Sequence, residues 1–166
     1  MGERPGLIFL IGFMGAGKTT VGKHLARLLG WDFVDLDEEI VAIERRSIPQ
    51  IFALEGEAYF RRREADVLAS LRGRARLVVA CGGGTYAHED NRRLIDRLGR
   101  SVWIQLPLEV ALRRCACGPG RPLLKDGAQA EALYRRRLPS YRAATLHVDA
   151  QDLPAEEVAE RIAGLL

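Results

Sequence analysis

The sequence predicts an α/β fold, and three observations support this prediction. Short apolar runs of strand length recur along the 166-residue chain, beginning with residues 7–11. Segments with apolar residues at helical spacing lie between these runs. The first run is followed directly by residues 12–19, GFMGAGKT, which fit the pattern GxxxxGK(S/T) of phosphate-binding loops. We therefore expect a parallel sheet with helices between its strands and a nucleotide site after the first strand.

The glycine-rich loop after the first run supplies most of a nucleotide site. Its glycines allow backbone N–H groups to turn inward around phosphate oxygens, in part through positive φ angles. Lys18 can reach the β- and γ-phosphates, Thr19 offers a hydroxyl to Mg²⁺, and the following helix directs its N-terminal dipole at the anion. An ordinary glycine-rich turn is the alternative. The predicted ATP-binding residues of this loop are Gly12, Gly15, Ala16, Gly17, Lys18, Thr19 and Thr20.

Two carboxylates end the second predicted strand, which covers residues 31–37. Period-two geometry is expected to place Asp35 and Asp37 on the same side, at the edge where parallel sheets bind ligands. One could assist Mg²⁺ while the other accepts a hydrogen bond from an acceptor hydroxyl. Either could instead cap the next helix, and the two roles are compatible. The third apolar run, 77–81, ends without an acidic residue, which makes Asp35 the better Mg²⁺ candidate.

A helix after Gly56 carries an acidic residue within its apolar side. Glu64 lies four residues from both Phe60 and Leu68. Arg61, three residues before Glu64, could pair with it, and the pair could hold a guanidinium toward the crevice. A plain surface ion pair explains the same spacing.

Three glycines, residues 82–84, follow the third strand. Because glycines after a core strand cost backbone entropy, we expect close approach by a ligand or another backbone at this point. A flexible turn is the alternative.

The second half of the chain contains a candidate lid and a candidate binding helix. The segment from Cys117 to Gly127 is bracketed by glycine and proline and carries Arg121. This pattern predicts a mobile lid that delivers the arginine to the transferring phosphate. A solvated loop is the alternative. Arg137 shares a helix side with Tyr141, and Pro139 is expected to kink or end that helix. Strands are expected at 101–106 and 146–149, and Pro154 is expected to open the last helix.

Composition excludes several classes of protein. The net charge is only +3 and aromatic residues are few, which disfavours binding to nucleic acid. No apolar stretch reaches bilayer length and no leader pattern begins the chain, so we expect a cytoplasmic protein that contacts no membrane. The odd number of cysteines, three, argues against a disulfide framework. We expect one domain over residues 1–166.

With these motifs in view, the chain resembles the shikimate kinase family from about Leu7 to Leu166. The shared features are the P-loop, the Asp-Leu-Asp of 35–37, Ile-Phe at 51–52, Gly-Glu at 56–57, Phe-Arg-Arg at 60–62, the glycine triplet, Arg-Pro-Leu-Leu at 121–124 and Arg-x-Pro-x-Tyr at 137–141. One departure is Arg45, which stands where this family usually has a glycine before Ser-Ile. That departure makes the end of the preceding helix uncertain but leaves the site unaffected.

The resemblance implies a three-layer α/β/α fold with a five-stranded parallel sheet of the nucleoside-monophosphate-kinase type. It implies transfer of the ATP γ-phosphoryl group to the 3-hydroxyl of shikimate, with Mg²⁺, in a monomer. By the same resemblance, the helical region about 37–71 binds substrate and 115–127 is the lid. A related kinase for gluconate or a nucleotide, or a P-loop protein without activity, are the alternatives. The carried-over roles are shikimate binding by Asp37, Arg61, Gly83, Gly84 and Arg137, adenine contact by Arg114 and Pro154, Mg²⁺ binding by Thr19 and Asp35, and catalysis by Lys18, Asp37 and Arg121.

Overall fold

The computed structural model describes residues 6–116 and 127–166. They form a five-stranded parallel sheet with helices packed around it. The strands are β1 (Leu7–Ile11), β2 (Asp32–Asp35), β3 (Leu77–Ala80), β4 (Arg100–Gln105) and β5 (Leu146–Asp149). The helices are α1 (Lys18–Leu29), α2 (Leu36–Glu44), α3 (Ile48–Glu55), α4 (Glu57–Ala69), α5 (Glu89–Leu98), α6 (Leu108–Ala116), α7 (Gly127–Arg142) and α8 (Ala155–Leu165).

The strand order is β2-β3-β1-β4-β5, which confirms the predicted parallel sheet and puts β1 at its centre. Every residue of β1 is buried, because both faces of the sheet are covered and a central strand reads as a continuous apolar run. In register, Phe9 of β1 lies between Val79 of β3 and Ser101 of β4. The loops after β1, β2 and β3 therefore meet at one edge of the sheet.

Local signals in the sequence set several helix ends correctly. The backbone of Gly30 ends α1 in the left-handed conformation, with φ of 65°. Ser47 opens α3 with a complete capping box to Gln50. Arg45 ends α2 with φ of 52°, a conformation that suits glycine better than arginine. The left-handed conformation at Arg45 is thus one that a glycine would adopt without strain.

The structure corrects the predicted second strand. Strand β2 ends at Asp35, and α2 begins at Leu36, so Asp37 lies in the first turn of a helix. The period-two argument for Asp35 and Asp37 is therefore wrong, although both side chains line the same cleft. Asp35 is the N-cap of α2, and its Oδ1 accepts a hydrogen bond from the N–H of Glu38 at 3.1 Å.

Pro139 does not end α7, which continues to Arg142. A proline inside a helix leaves the carbonyl four residues earlier without its usual donor. Both Pro139 and Arg135 are exposed, so water can reach that carbonyl. The burial of Tyr141, on the last turn of the helix, favours continuation.

Helices long and apolar enough to cross a bilayer do not occur within residues 6–116 and 127–166.

Candidate active site

A cleft of about 520 Å³ opens at the carboxyl edge of the sheet and brings most of the predicted site together. Its wall is formed by the loop after β1, the start of α2, the loop after β3, and the start of α8. The predicted residues that line it are Gly15, Ala16, Gly17, Lys18, Thr19, Thr20, Asp35, Asp37, Gly83, Arg114 and Pro154. Residues far apart in sequence thus share one cavity, as a ligand-binding edge requires.

The loop of residues 12–17 has the backbone expected of a phosphate-binding loop. Gly12, Gly15 and Gly17 adopt φ of 151°, 80° and 85°, which confirms the predicted need for glycine. Gly12 also lacks room, since a Cβ built on it would lie 2.9 Å from the carbonyl oxygen of Ile104. Gly17 is the N-cap of α1, so the dipole of that helix is directed at the loop.

Lys18 lies over the loop that precedes it. Its ammonium donates hydrogen bonds to the carbonyls of Gly12 at 2.6 Å and Phe13 at 3.1 Å. These bonds curl the side chain back toward the cleft instead of letting it extend into solvent. A positive charge is therefore held at the place where the glycine N–H groups also gather.

Thr19 and Asp35 form a pair of oxygen ligands on adjacent elements. The Thr19 hydroxyl donates to Oδ2 of Asp35 at 2.5 Å, while Oδ1 of Asp35 caps α2. One oxygen of Asp35 thus has the capping role that the sequence left open, and the other pairs with the Thr19 hydroxyl. The part of the chain that the structure describes has no cluster of three His, Cys, Asp or Glu side chains suited to a metal. Two protein oxygens next to a phosphate loop suit Mg²⁺, which takes most of its ligands from phosphates and water.

The glycine triplet after β3 is required for space. A Cβ on Gly84 would lie 2.7 and 2.8 Å from the terminal nitrogens of Arg61 and 2.9 Å from Nη2 of Arg137. A Cβ on Gly83 would lie 2.9 Å from Nη1 of Arg137. We expected approach by a ligand or backbone, and the structure shows approach by two arginine side chains. The guanidinium groups of Arg61 and Arg137 thus converge on the last two glycines of the triplet.

Gly82 leaves room for acidic side chains instead. A Cβ on Gly82 would lie 3.0 Å from Oδ1 of Asp37, 3.0 Å from Oε2 of Glu64 and 3.2 Å from the hydroxyl of Thr85. The start of the triplet therefore faces carboxylates and its end faces guanidinium groups.

Arg61 is held by a buried carboxylate, as one reading of the sequence predicted. Glu64 is fully buried and accepts a hydrogen bond from Arg61 Nη1 at 3.1 Å. Its other oxygen, Oε2, accepts from the hydroxyl of Thr85 at 2.7 Å. The surface ion-pair alternative is wrong, because Glu64 has no exposed area. A second, weaker contact joins Arg61 to Glu57 at 3.4 Å, where the carboxylate is half exposed.

Arg137 is a buried cation on α7. The residue is 5% exposed, whereas Arg135 and Arg136 on the same helix are exposed, as predicted from the helix face. Burial lowers the pKa of Arg137, and the Tyr141 hydroxyl opposes that shift. The guanidinium stays charged at neutral pH because arginine starts from so high a value. Among the described residues, Arg137 Nη1 and Arg61 Nε are buried donors without a hydrogen-bond acceptor.

Three positioning contacts were not predicted from the sequence. The Thr85 hydroxyl donates a hydrogen bond to Glu64. The Tyr141 hydroxyl donates to the Gly83 carbonyl at 2.5 Å. Glu44, at the end of α2, accepts from Arg63 Nε at 2.7 Å and from the Tyr59 hydroxyl at 2.9 Å, which ties the helix of Asp37 to the helix of Arg61. Hydrogen bonding to Arg46 lowers the pKa of Glu44 and keeps it ionised. None of these partners lies at a spacing that a sequence pattern could reveal.

The Cys81 thiol also lines the cleft and is fully buried. Burial raises its pKa well above the ordinary value, and the nearby carboxylate of Glu64 adds to the shift. The thiol is therefore protonated at neutral pH and a poor nucleophile.

Of the three remaining predicted residues, the structure describes Arg114 and Pro154. The Arg114 side chain crosses to the phosphate loop, where Nη1 donates to the Gly15 carbonyl at 3.4 Å. Pro154 is the N-cap of α8, and it lines the cleft. Arg121 and most of the predicted lid at 115–127 lie outside the described residues.

Comparisons with known proteins show which enzymes this chain resembles. The family model described as shikimate kinase matches residues 14–166. Shikimate kinase from Halorhodospira halophila is 45% identical over 162 residues, which are 95% of this chain and 92% of that protein. Its counterpart from Nitrosomonas europaea is 45% identical over 150 residues, 89% of this chain and 71% of that protein.

A solved structure has a closely similar fold. Shikimate kinase from Acinetobacter baumannii in complex with shikimate superposes with a TM-score of 0.93 at 40% identity, and the match covers 98% of this chain and 93% of that one. The family match, the sequence identity and the shared fold all agree, and the chain therefore belongs to the shikimate kinase family of ATP-dependent kinases.

Proposed function

We propose that this chain carries out the reaction of its family through a division of roles among the residues around the cleft. As a shikimate kinase, it transfers the γ-phosphoryl group of ATP to the 3-hydroxyl of shikimate, giving shikimate 3-phosphate and ADP for aromatic amino-acid biosynthesis. We propose the roles of the individual residues, the use of Mg²⁺ and the monomeric state.

The observation that supports the substrate site most strongly is the convergence of Arg61 and Arg137 on Gly84. Two buried guanidinium groups at one point repel each other unless an anion lies between them. Glu64 provides part of that anion through its direct ion pair with Arg61. A substrate carboxylate completes the charge balance and accepts the fork of N–H donors that each guanidinium presents. We therefore assign Arg61, Arg137, Gly83 and Gly84 to the carboxylate end of shikimate.

Asp37 lies between this anion site and the phosphate loop. It lines the cleft with Lys18, and its Oδ1 lies next to Gly82 at the start of the triplet. A carboxylate there can align the substrate 3-hydroxyl and take its proton as the phosphoryl group arrives. Lys18 and the loop N–H groups stabilise negative charge that develops on the phosphoryl oxygens.

Thr19 and Asp35 would hold Mg²⁺ beside the phosphates, since their oxygens are already paired and next to the loop. Bound there, the ion would neutralise charge on the β- and γ-phosphate oxygens. Arg114 and Pro154, which both line the cleft, would bracket adenine. Arg121 keeps its predicted role as the lid arginine that reaches the transferring phosphate. We further propose one kinase domain over residues 1–166 that works as a cytoplasmic monomer.

Substrate choice tests the proposal directly. ADP release should require shikimate and should not occur with gluconate or a nucleoside monophosphate at the same concentration. The methyl ester of shikimate, which lacks the charge, should bind much more weakly. Release of ADP with another acceptor, or equal turnover of the ester, would contradict the assignment.

Matched arginine variants test the carboxylate site. Arg61→Lys and Arg137→Lys should each raise the KM for shikimate by about tenfold, because an ammonium cannot replace a bidentate guanidinium. Their exposed neighbours give the controls, since Arg62→Lys and Arg136→Lys should leave that KM within about twofold. Equal effects in all four variants would indicate general electrostatics instead of a site.

A further inference from the structure

A tyrosine near the end of α7 contacts two parts of the proposed shikimate site. Tyr141 is fully buried, and its ring centroid lies 5.9 Å from that of Trp103. Its hydroxyl donates a hydrogen bond to the carbonyl of Gly83 at 2.5 Å. Tyr141 also follows Arg137 by four residues, so the two side chains lie on the same side of α7.

The carbonyls of the glycine triplet are held in two different ways. Those of Gly82 and Gly84 accept from N–H groups of the same turn, Thr85 and Ala87, each at 3.2 Å. The carbonyl of Gly83 accepts instead from Tyr141, 58 residues later in the chain. The hydroxyl of Tyr141 therefore connects the middle of the triplet to α7.

This hydrogen bond also sets the direction of a donor. The carbonyl of Gly83 and the N–H of Gly84 belong to one planar trans unit, so they point in opposite directions. When the carbonyl is bound to Tyr141, the Gly84 N–H is directed away from Tyr141. Glycine has no side chain to restrict the rotation of its peptide planes, so an outside partner matters more here than elsewhere.

The Arg137 guanidinium lies beside the same glycine, since a Cβ on Gly83 would be 2.9 Å from its Nη1. The Tyr141 hydroxyl and this guanidinium also influence each other's pKa, as expected of neighbouring groups. A phenol has one proton and two lone pairs, so with its proton on the Gly83 carbonyl the oxygen can accept from Arg137. One oxygen atom thus joins the glycine loop to the buried cation.

We propose that Tyr141 is a positioning residue for shikimate. Its hydroxyl holds the Gly83–Gly84 peptide and the Arg137 guanidinium in one arrangement, so that both meet the substrate together. This inference rests on the proposed function, in which Gly83, Gly84 and Arg137 bind shikimate. Tyr141 itself need not contact the substrate, because it acts through these two groups.

The chain offers a closely matched control in Tyr86. Tyr86 is also fully buried, and its hydroxyl donates to Oδ1 of Asp96 at 3.0 Å, with the Ala143 carbonyl as an alternative acceptor at 3.4 Å. Burial raises the pKa of each of the two phenols to about 12. The partners of Tyr86 lie on α5 and after α7, outside the residues that line the cleft. Removing either hydroxyl should therefore reduce stability, but only one removal should affect the substrate.

The experiment compares Tyr141→Phe and Tyr86→Phe in the full chain. We would measure kcat, the KM for shikimate and for ATP, the Kd for shikimate by calorimetry, and Tm. Tyr141→Phe should raise both shikimate constants about tenfold and leave kcat and the ATP KM within about twofold. Both variants should lower Tm by similar amounts, because each loses one buried hydroxyl. Tyr86→Phe should nevertheless leave the shikimate KM and Kd within about twofold of wild type.

Several results would overturn the inference. Unchanged shikimate constants in Tyr141→Phe would do so, and so would equal increases in both variants, which would indicate general loosening of the core. If the Phe variant fails to fold, 3,5-difluorotyrosine at position 141 closely keeps the shape but makes the hydroxyl a stronger donor and a weaker acceptor, and it should change the shikimate Kd. No change in that Kd would also overturn the inference. Wild-type protein that releases no ADP with shikimate would instead refute the proposed function.

Discussion

Two glycine-rich loops follow neighbouring strands of the sheet, and their glycines are needed for different reasons. After β1, Gly12, Gly15 and Gly17 adopt positive φ angles that side chains disfavour. After β3, the described residues 82–84 include no positive φ, and the glycines make room for side chains from other elements. The first loop thus depends on backbone shape and the second on empty space.

This difference explains why one loop could be interpreted from sequence and the other only in part. A requirement for positive φ is local, so spacing within a few residues reveals it. A requirement for space depends on which side chains arrive from elsewhere, here from α2, α4 and α7. The following predictions test the comparison, starting from the largest expected effect.

Lys18→Ala removes the cation of the first loop and should lower kcat by about 10⁴-fold, since its charge stabilises the transferring phosphoryl group. The fold should persist, because the Lys18 ammonium donates to carbonyls of its own loop and the side chain is not part of the apolar core. Lys23→Ala, an exposed lysine on the same helix, is the control and should keep normal kcat. A fall in Tm that matches the loss of activity would mean that Lys18 supports the fold instead.

Asp37 stands between the two loops, so Asp37→Asn should lower kcat by about 10³-fold while nucleotide affinity changes little. Asparagine keeps the shape of the side chain but accepts a proton poorly. Asp35→Asn should keep α2 capped, because Asn is as good an N-cap as Asp, and its activity should be partly restored by added Mg²⁺. Rates measured across an Mg²⁺ titration decide the matter, since restoration of Asp37→Asn would reverse the two roles.

Gly84→Ala should raise the KM for shikimate by about 10²-fold, because the new methyl group would displace both guanidinium groups. Gly30→Ala makes the comparison direct, since Gly30 has φ of 65° and a Cβ there meets nothing within 4 Å. That variant should lose about 1 kcal/mol of unfolding free energy and keep its KM. Steady-state kinetics and denaturant unfolding of both variants would show whether space and backbone shape act separately.

Arg45→Gly should produce the smallest effect, a gain. Arg45 has φ of 52°, where glycine is unstrained, so the unfolding free energy should rise by about 0.5–1 kcal/mol and Tm by roughly 2–4 °C. Arg62→Gly, within α4, should instead reduce stability by about 1 kcal/mol. Thermal unfolding measures both, and a loss of stability in Arg45→Gly would mean that the arginine side chain more than offsets its backbone strain.

Sequence and structure also differ over how neighbouring elements meet. The order of strands and helices was predicted to within a few residues, because apolar periodicity and capping act over short distances. The prediction placed Asp37 at the end of a strand, whereas it lies in the first turn of a helix capped by Asp35. The segment around Asp37 is so short that its sequence fits both the strand period of two and the helix period of 3.6. The position of the boundary therefore cannot be predicted to the single residue.

The sequence by itself determined the α/β class and the phosphate loop, since both are recorded in local spacing, and through the family resemblance it predicted the acidic and basic residues that we assign to the site. Only the tertiary structure decided that Glu64 is buried between Arg61 and Thr85, that two guanidinium groups converge on Gly84, and that Tyr141 holds the Gly83 carbonyl. Those contacts join residues from separate elements. Their existence depends on how the elements pack, which is a property of the whole sheet and its helices and has no counterpart in local sequence.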